Sequence, residues 1–371
     1  MPEVKAAQTP ARIDVAHCDP VAAAASPASE AHAYPKRRQW LRLSLGLGAV
    51  LGTGPGVAQH IASTGASLQW RERALLGFGT TLWLRAGHAS AARADAGLDA
   101  AIAAIRHVER QMSLFEPTSA VCQLNREGAL HNPHPDLVQV LQLAQQVSKR
   151  SRGAFDVTVQ PLWLAWQAAQ RAGRLPTSQE LAAARAQCGW RGLAVSIKRI
   201  ELKKPGMAIT LNGIAQGFAS DLARAALQAH GIEHALLDTG EWSALGRSPD
   251  ATPWTLGVAN PRSASALIAR LATDGRAIAT SSDAHCSFST DLLHHHIFDP
   301  RTGYSPRELA SVTVAAPTCT MADALTKVMF MAGPVRAFDV ARQWQVDVLV
   351  VDKAGRWRAS AGLHAQLPSK S

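Results

Sequence analysis

The segment Thr210-Leu211-Asn212-Gly213-Ile214-Ala215-Gln216-Gly217-Phe218-Ala219-Ser220-Asp221 constrains the fold more than any other stretch of the chain. A β-like run ends at Leu211, Asn212 is a capping residue type, and a helix begins with glycines at 213 and 217. Glycine is costly inside a helix, so its use here signals a backbone that something approaches closely. A ligand or metal against that backbone is one occupant, and the free N–H groups and positive dipole end of a helix start suit phosphate. A tightly packed strand-to-helix turn is the other.

The flanking sequence supplies the rest of a globular body. Leu75–Leu84 reads as a strand, and His88–Met112 as a long amphipathic helix with Leu98, Ile102, Ile105, Val108 and Met112 at helical spacing. Asp136–Lys149 repeats that pattern. Short β-like runs follow at Leu193–Ile197, Ala208–Leu211, Ala235–Leu237, Thr255–Val258, Ala277–Thr280, Ser311–Ala316 and Val346–Val351. Helices are expected over Ile214–His230, Thr320–Met331 and Val335–Trp344. Strands and helices mix without strict alternation, which favours α+β with largely antiparallel sheets over a doubly wound parallel sheet.

Charge and apolar runs exclude several functions. The chain has 371 residues, 47% of them hydrophobic and 18% charged, with no apolar run of the roughly 18 residues that a membrane span needs. The net charge of +10 comes from scattered Lys and Arg with only two Tyr and eight Phe, which does not make a nucleic-acid surface. The N-terminus is different. Residues 1–35 are rich in Ala, Pro and Ser and read as disordered. Lys36-Arg37-Arg38 then precedes the short apolar run Leu43–Gly52, no formal charge falls between Arg42 and Arg71, and Gly56-Val57-Ala58 offers small residues for cleavage. This pattern is similar to a twin-arginine export signal. It divides the chain into a leader and signal over 1–58 and a globular domain over 74–365, and it predicts a periplasmic location with membrane contact only through the signal or a target.

Three further segments carry chemistry. Gly153-Ala154-Phe155-Asp156-Val157-Thr158-Val159-Gln160-Pro161-Leu162 interrupts a strand-like backbone with Gly and Pro. His294-His295-His296-Ile297-Phe298-Asp299-Pro300-Arg301-Thr302-Gly303 has adjacent histidines, of which a strand would put only His294 and His296 on one side. In Cys319-Thr320-Met321-Ala322-Asp323-Ala324-Leu325-Thr326-Lys327, Asp323 has Thr326 and Lys327 three and four residues on, sharing its helix face. A carboxylate beside a hydroxyl is an oxygen pair suited to Mg²⁺; a helix-start Asp that satisfies the dipole is the plainer reading.

In order and spacing these four segments, with Gly79-Thr80, Met112-Ser113 and Pro117, resemble the FAD:protein FMN transferases, the ApbE-type flavin transferases. The wording Asn-Gly-Ile-Ala-Gln-Gly and the segment Asp238-Thr239-Gly240-Glu241 look more like the NosX-type branch linked to nitrous-oxide respiration. The resemblance implies an α+β flavin transferase domain that uses Mg²⁺ and FAD, moves FMN to a Thr or Ser hydroxyl of a target flavoprotein in a periplasm-facing domain, and releases AMP. By position, it puts Phe78, Phe115, Ala154, Phe155, Asp156, Thr210, Gln216 and Ile297 around FAD. The Gly213 carbonyl and Asp323 fall at its metal, with Thr326 and Lys327 as the hydroxyl region of that helix, and His296 falls at its catalytic histidine. Phe115 stands where the family commonly has Tyr. Thr210 stands for the usual Asp, Gln216 for the usual Lys and Lys327 for the usual Thr. A lysine is thus lost from one motif and gained in another, which either moves a positive charge within one site or extinguishes the metal. Hydrolysis of FAD and flavin binding without turnover are the competing functions.

Overall fold

The computed structural model describes residues 67–363 and 365–366; the leader and signal expected over 1–58 lie outside them. The chain runs β1 Gln69–Gly77, β2 Thr80–His88, α1 Ala91–Met112, α2 Ala120–Glu127, β3 Ala129–His131, α3 Pro135–Arg150, α4 Gln160–Arg171 and α5 Ser178–Ala186. It continues through β4 Leu193–Val195, β5 Arg199–Leu202, α6 Ala215–Ala229, β6 His234–Asp238, β7 Trp242–Leu245, β8 Thr255–Asn260, β9 Ser263–Ala272 and β10 Ala277–Ser282. The last elements are β11 Leu309–Ala316, α7 Cys319–Trp344, β12 Asp347–Asp352, β13 Trp357–Ala359 and β14 Ala365–Gln366.

An eight-stranded sheet in the order β1-β2-β6-β7-β10-β11-β12-β13 organises the molecule, and every pairing in it is antiparallel. The expected α+β class with antiparallel sheets is therefore the observed one. Helices α1, α6 and α7 cover one face, where Leu98, Ile105, Phe218, Leu325 and Met329 meet Leu82, Leu84, Val312 and Val314. The small sheet β14-β9-β8 covers the other, with Trp254, Leu256 and Leu271 against Leu236, Ile278 and Val351. Strand β11, covered on both sides, is buried at every residue. Its two polar side chains are satisfied within that burial, Ser311 Oγ donating to Ser281 O at 3.2 Å and Thr313 Oγ1 lying 2.9 Å from Thr280 Oγ1.

Three local expectations change. The strand expected over Leu75–Leu84 is a hairpin, because Phe78 and Gly79 both take positive φ (51° and 74°) and reverse the chain between β1 and β2. The run Ala208–Leu211 joins no sheet. Its backbone is held instead by the Asn125 side chain, which donates to Ile209 O and accepts from Ile209 N–H at 2.8 Å each, and by Thr210 N–H to Val157 O. Asn212 does not cap α6, whose first turn lacks any side-chain cap. The two helices expected over Thr320–Met331 and Val335–Trp344 are present as the two halves of α7, which meet at a break where Gly333 takes φ 76°.

At Gly217 the close approach is that of the tightly packed turn. A Cβ at Gly217 would lie 2.4 Å from Cys319 O and 2.8 Å from Thr320 Cα, so the α6 backbone lies directly on the first turn of α7. One turn on, Asp221 caps α7 by accepting from Cys319 N–H (2.8 Å) and Thr320 N–H (2.9 Å). Because backbone cannot yield as a side-chain tip does, Gly217→Ala should cost about 1–3 kcal/mol or more. A urea-denaturation midpoint unchanged by this substitution would contradict the contact.

Candidate functional site

A cavity opens where the loop after α1, the 154–163 segment, the start of α6, the ends of β7 and β10, the 285–300 loop and α7 converge. Its walls include Phe115, Ala154, Phe155, Asp156, Thr210, Gly213, Gln216, His296, Ile297 and Lys327, so most of the residues singled out from sequence come together. Phe78, Asp323 and Thr326 are not on its surface. Phe78 is held in the β1–β2 turn, its N–H donating to Glu109 Oε1 at 2.7 Å. The next residue, Gly79, supports the rim: a Cβ there would lie 2.9 Å from the Phe115 ring. Phe115 is left 39% exposed, a flat apolar face at the cavity mouth.

Asp156 shapes the wall rather than presenting a free charge. Its Oδ1 accepts from Thr158 N–H (2.8 Å) and Oγ1–H (2.6 Å), and its Oδ2 from Trp190 N–H (2.9 Å). Burial still raises its pKa, with these hydrogen bonds pulling the other way. The aromatic group Trp166, Phe288 and Phe298, buried beneath α4 and α5, holds the 285–300 loop from behind.

The three histidines separate into three environments. His294 lies against Trp166 with ring centroids 5.0 Å apart. His295 is fully buried: its Nε2 donates to Pro306 O (3.1 Å) while Nδ1 accepts from Ile297 N–H (3.4 Å), and burial pushes its pKa down to about 3. The cavity is lined by His285 from earlier in the same loop and, of these three, only by His296. Its Nδ1 donates to Cys286 O at 3.1 Å, since a carbonyl can only accept, so Nε2 carries the lone pair. Burial, with Lys327 adding to it, lowers this pKa to about 4, so the ring is neutral at pH 7. No shared metal among them follows. Among the described residues, the His, Cys, Asp and Glu side chains that cluster closely enough to share an ion are His107, His134 and Asp136, and none of these lines the cavity.

The floor is charged. Asp323, 1% exposed, forms an ion pair through Oδ1 with Lys327 Nζ and accepts from Gly217 N–H (3.4 Å) through Oδ2. Thr326 donates its hydroxyl to Asp323 O (2.7 Å) and lies 2.7 Å from Ser281 Oγ. Gln216 donates to Thr239 O at 3.2 Å. Glu241 completes the floor and is the residue that sequence reasoning missed as a site group. It is buried and accepts from Thr280 N–H at 3.1 Å; burial, then the neighbouring Asp323 charge, pushes its pKa well up, with Lys327 opposing. The turn residue Gly240 (φ 94°) just before it was the available signal, because it aims the strand end inward. Trp163 and Ser281 were missed as well.

Fold and site together define an α+β protein with an aromatic-rimmed, charge-floored cleft between its helical layer and its loops. The chain belongs to the ApbE family, whose sequence model matches residues 78–350. A relative from Vibrio cholerae named FAD:protein FMN transferase is 30% identical over 258 residues, covering 67% of this chain and 77% of that one. One of the same name from Treponema pallidum is 29% identical over 330 residues, 82% and 91% of the two chains. Among solved structures, the ApbE protein of Thermotoga maritima superposes with a TM-score of 0.72 at 26% identity, over 79% of this chain and 98% of that one. The flavin transferase ApbE from Vibrio cholerae gives 0.69 at 25% identity, over 80% and 98%.

Since Asp156 satisfies three donors from two segments, Asp156→Ala should destabilise the protein by about 1–3 kcal/mol, the cost of orphaning buried N–H groups. Chemical denaturation of the variant measures this; an unchanged midpoint would return Asp156 to a purely ligand-facing role.

Proposed function

We propose that this protein transfers FMN from FAD to a Thr or Ser hydroxyl of a target flavoprotein and releases AMP. The observation that carries the reading is His296, a neutral imidazole fixed through Nδ1 with its Nε2 lone pair available at the cavity. In the reaction, the acceptor hydroxyl oxygen forms a bond to the phosphorus of the FMN half. The bond from that phosphorus to the bridging oxygen breaks, and AMP departs with the bridging oxygen on its phosphate. The hydroxyl proton passes to His296 Nε2. Phe115 and Trp163 offer ring faces to the isoalloxazine at the mouth. Gln216 and Lys327 line the deeper wall, where a pyrophosphate bears its charge. The proposal includes export by the twin-arginine route and a target domain facing the periplasm, supported by Arg37-Arg38 and the short apolar run that follows.

The family resemblance also implies Mg²⁺ held by Gly213, Asp323 and the Thr326-Lys327 region. The residues present do not fit a divalent ion. The one carboxylate among them is paired with an ammonium, and the Thr326 hydroxyl is engaged with Asp323 O and Ser281. Unit charges 4 Å apart repel by about 4 kcal/mol at an effective dielectric constant near 20, and a divalent ion beside Lys327 would meet about twice that.

Incubating the protein with FAD and a target flavoprotein tests the reading: FMN covalently on the target with AMP released is expected. Free FMN with AMP would make it a hydrolase, and unchanged bound FAD a carrier. His296→Ala should retain FAD binding and lose about 10²–10⁴-fold in transfer rate. Because burial lowers the His296 pKa from the ordinary histidine value to about 4, the base stays deprotonated through the usual histidine range. Transfer should thus show no histidine-type decline between pH 8 and pH 5 and fall only as pH approaches about 4. An inflection near the unperturbed value of about 6.5 would contradict the neutral, lowered-pKa assignment.

A further inference from the structure

We propose that the Lys327 ammonium is the resident cation of the pyrophosphate subsite, so that FAD recognition by this chain is independent of divalent metal. The inference rests on the flavin-transferase reading above and concerns how that same site neutralises its substrate.

Three residues frame the position, and the lysine occupies the space between them. Its Nζ pairs with Asp323 Oδ1 and also donates to Asp323 O at 3.2 Å. Its stem lies on the backbone of Gly213, where a Cβ would sit 3.1 Å from Lys327 Cε. Thr326, on the same turn of α7, has its hydroxyl turned to Asp323 O and Ser281 rather than toward the lysine. The second carboxylate oxygen of Asp323 is engaged by Gly217 N–H. Of the oxygens that could serve a small hard cation, Asp323 Oδ1 and O are thus taken by the ammonium, and the Thr326 hydroxyl is engaged elsewhere.

The lysine is not sealed away. Its side chain is 20% exposed and lines the cavity, whereas Asp323 is 1% exposed and does not. Asp323 therefore acts as a buried anchor for the ammonium of a side chain that lines the cavity. Gln216 lines the same wall but carries no charge, and its Nε2 donates to Thr239 O. The positive charge that its position lacks is supplied from α7. A lysine ammonium is a compact point charge with three donors, suited to phosphate oxygens without demanding a fixed coordination geometry. The bonds made and broken in the transfer are unchanged; what changes is which group carries the positive charge beside them.

The test measures FAD binding by quenching of flavin fluorescence, using the full chain first in EDTA and then with added Mg²⁺. Wild-type affinity should be the same in both to within about twofold, a difference below 0.5 kcal/mol. Lys327→Thr should weaken binding in EDTA by roughly tenfold or more, the usual size of a charged hydrogen bond, and recover when Mg²⁺ is added. Lys327→Met, which keeps the stem and removes the charge, should bind weakly in both. Wild-type binding that needs Mg²⁺, or Lys327→Thr binding as well as wild type in EDTA, would overturn the inference while leaving the flavin reading standing. If neither variant folds, as judged by circular dichroism, the wild-type comparison alone decides. Wild type that binds no FAD under either condition defeats both readings.

Discussion

The contact of backbone on backbone between α6 and α7 is the constraint on which the site depends. Gly217 lets the two helices touch with no side chain between them, and Asp221 ties the N-terminus of α7 to α6. Gly213 and Gln216 lie just before this contact, and Asp323 and Lys327 lie within the first turns after it. The Asp323–Lys327 ion pair of the floor is therefore registered by one helix crossing. The sheet contributes Glu241 and Ser281 from the ends of β7 and β10, which the same helices cover.

That crossing also determines the electrostatics. Two carboxylates, Asp323 and Glu241, are buried near a single lysine. Burial of a charge is tolerated only with a partner and hydrogen bonds, and here Lys327 and the Gly217 N–H supply them for Asp323. Glu241 accepts from the Thr280 N–H, and burial with the Asp323 charge beside it raises its pKa against the opposing pull of Lys327. The same environment keeps His296 neutral, so a low-dielectric floor favours an uncharged base beside a fixed cation.

Much of the architecture was legible in the chain because its signals are local. The period of α1, the β-branched runs of β11 and β12, and the Gly333-Pro334 break are each read from a few neighbouring residues. The errors had non-local causes. Ile209 looked like a strand because its partner is a side chain 84 residues away, Asn125, rather than another strand. Helix α4 went unread because its apolar positions serve the separate cluster formed with Phe288 and Phe298. Phe78 and Gly79 were taken as strand interior because nothing local reveals that both adopt positive φ.

For the site, the sequence by itself determined the motifs and their order, and their resemblance to the ApbE-type transferases implied that Phe115, Ala154–Asp156, Thr210–Gln216, His296-Ile297 and Lys327 would gather. Residue type and spacing along the chain carry that information. Tertiary structure alone decided which histidine faces the cavity, that Asp156 spends its oxygens on Thr158 and Trp190, and that Glu241 belongs to the floor. It also decided that Lys327 pairs with Asp323 beside Gly213. Those outcomes turn on burial and on partners tens to a hundred residues apart, and desolvation acts on a group through its three-dimensional surroundings, which no window of sequence contains.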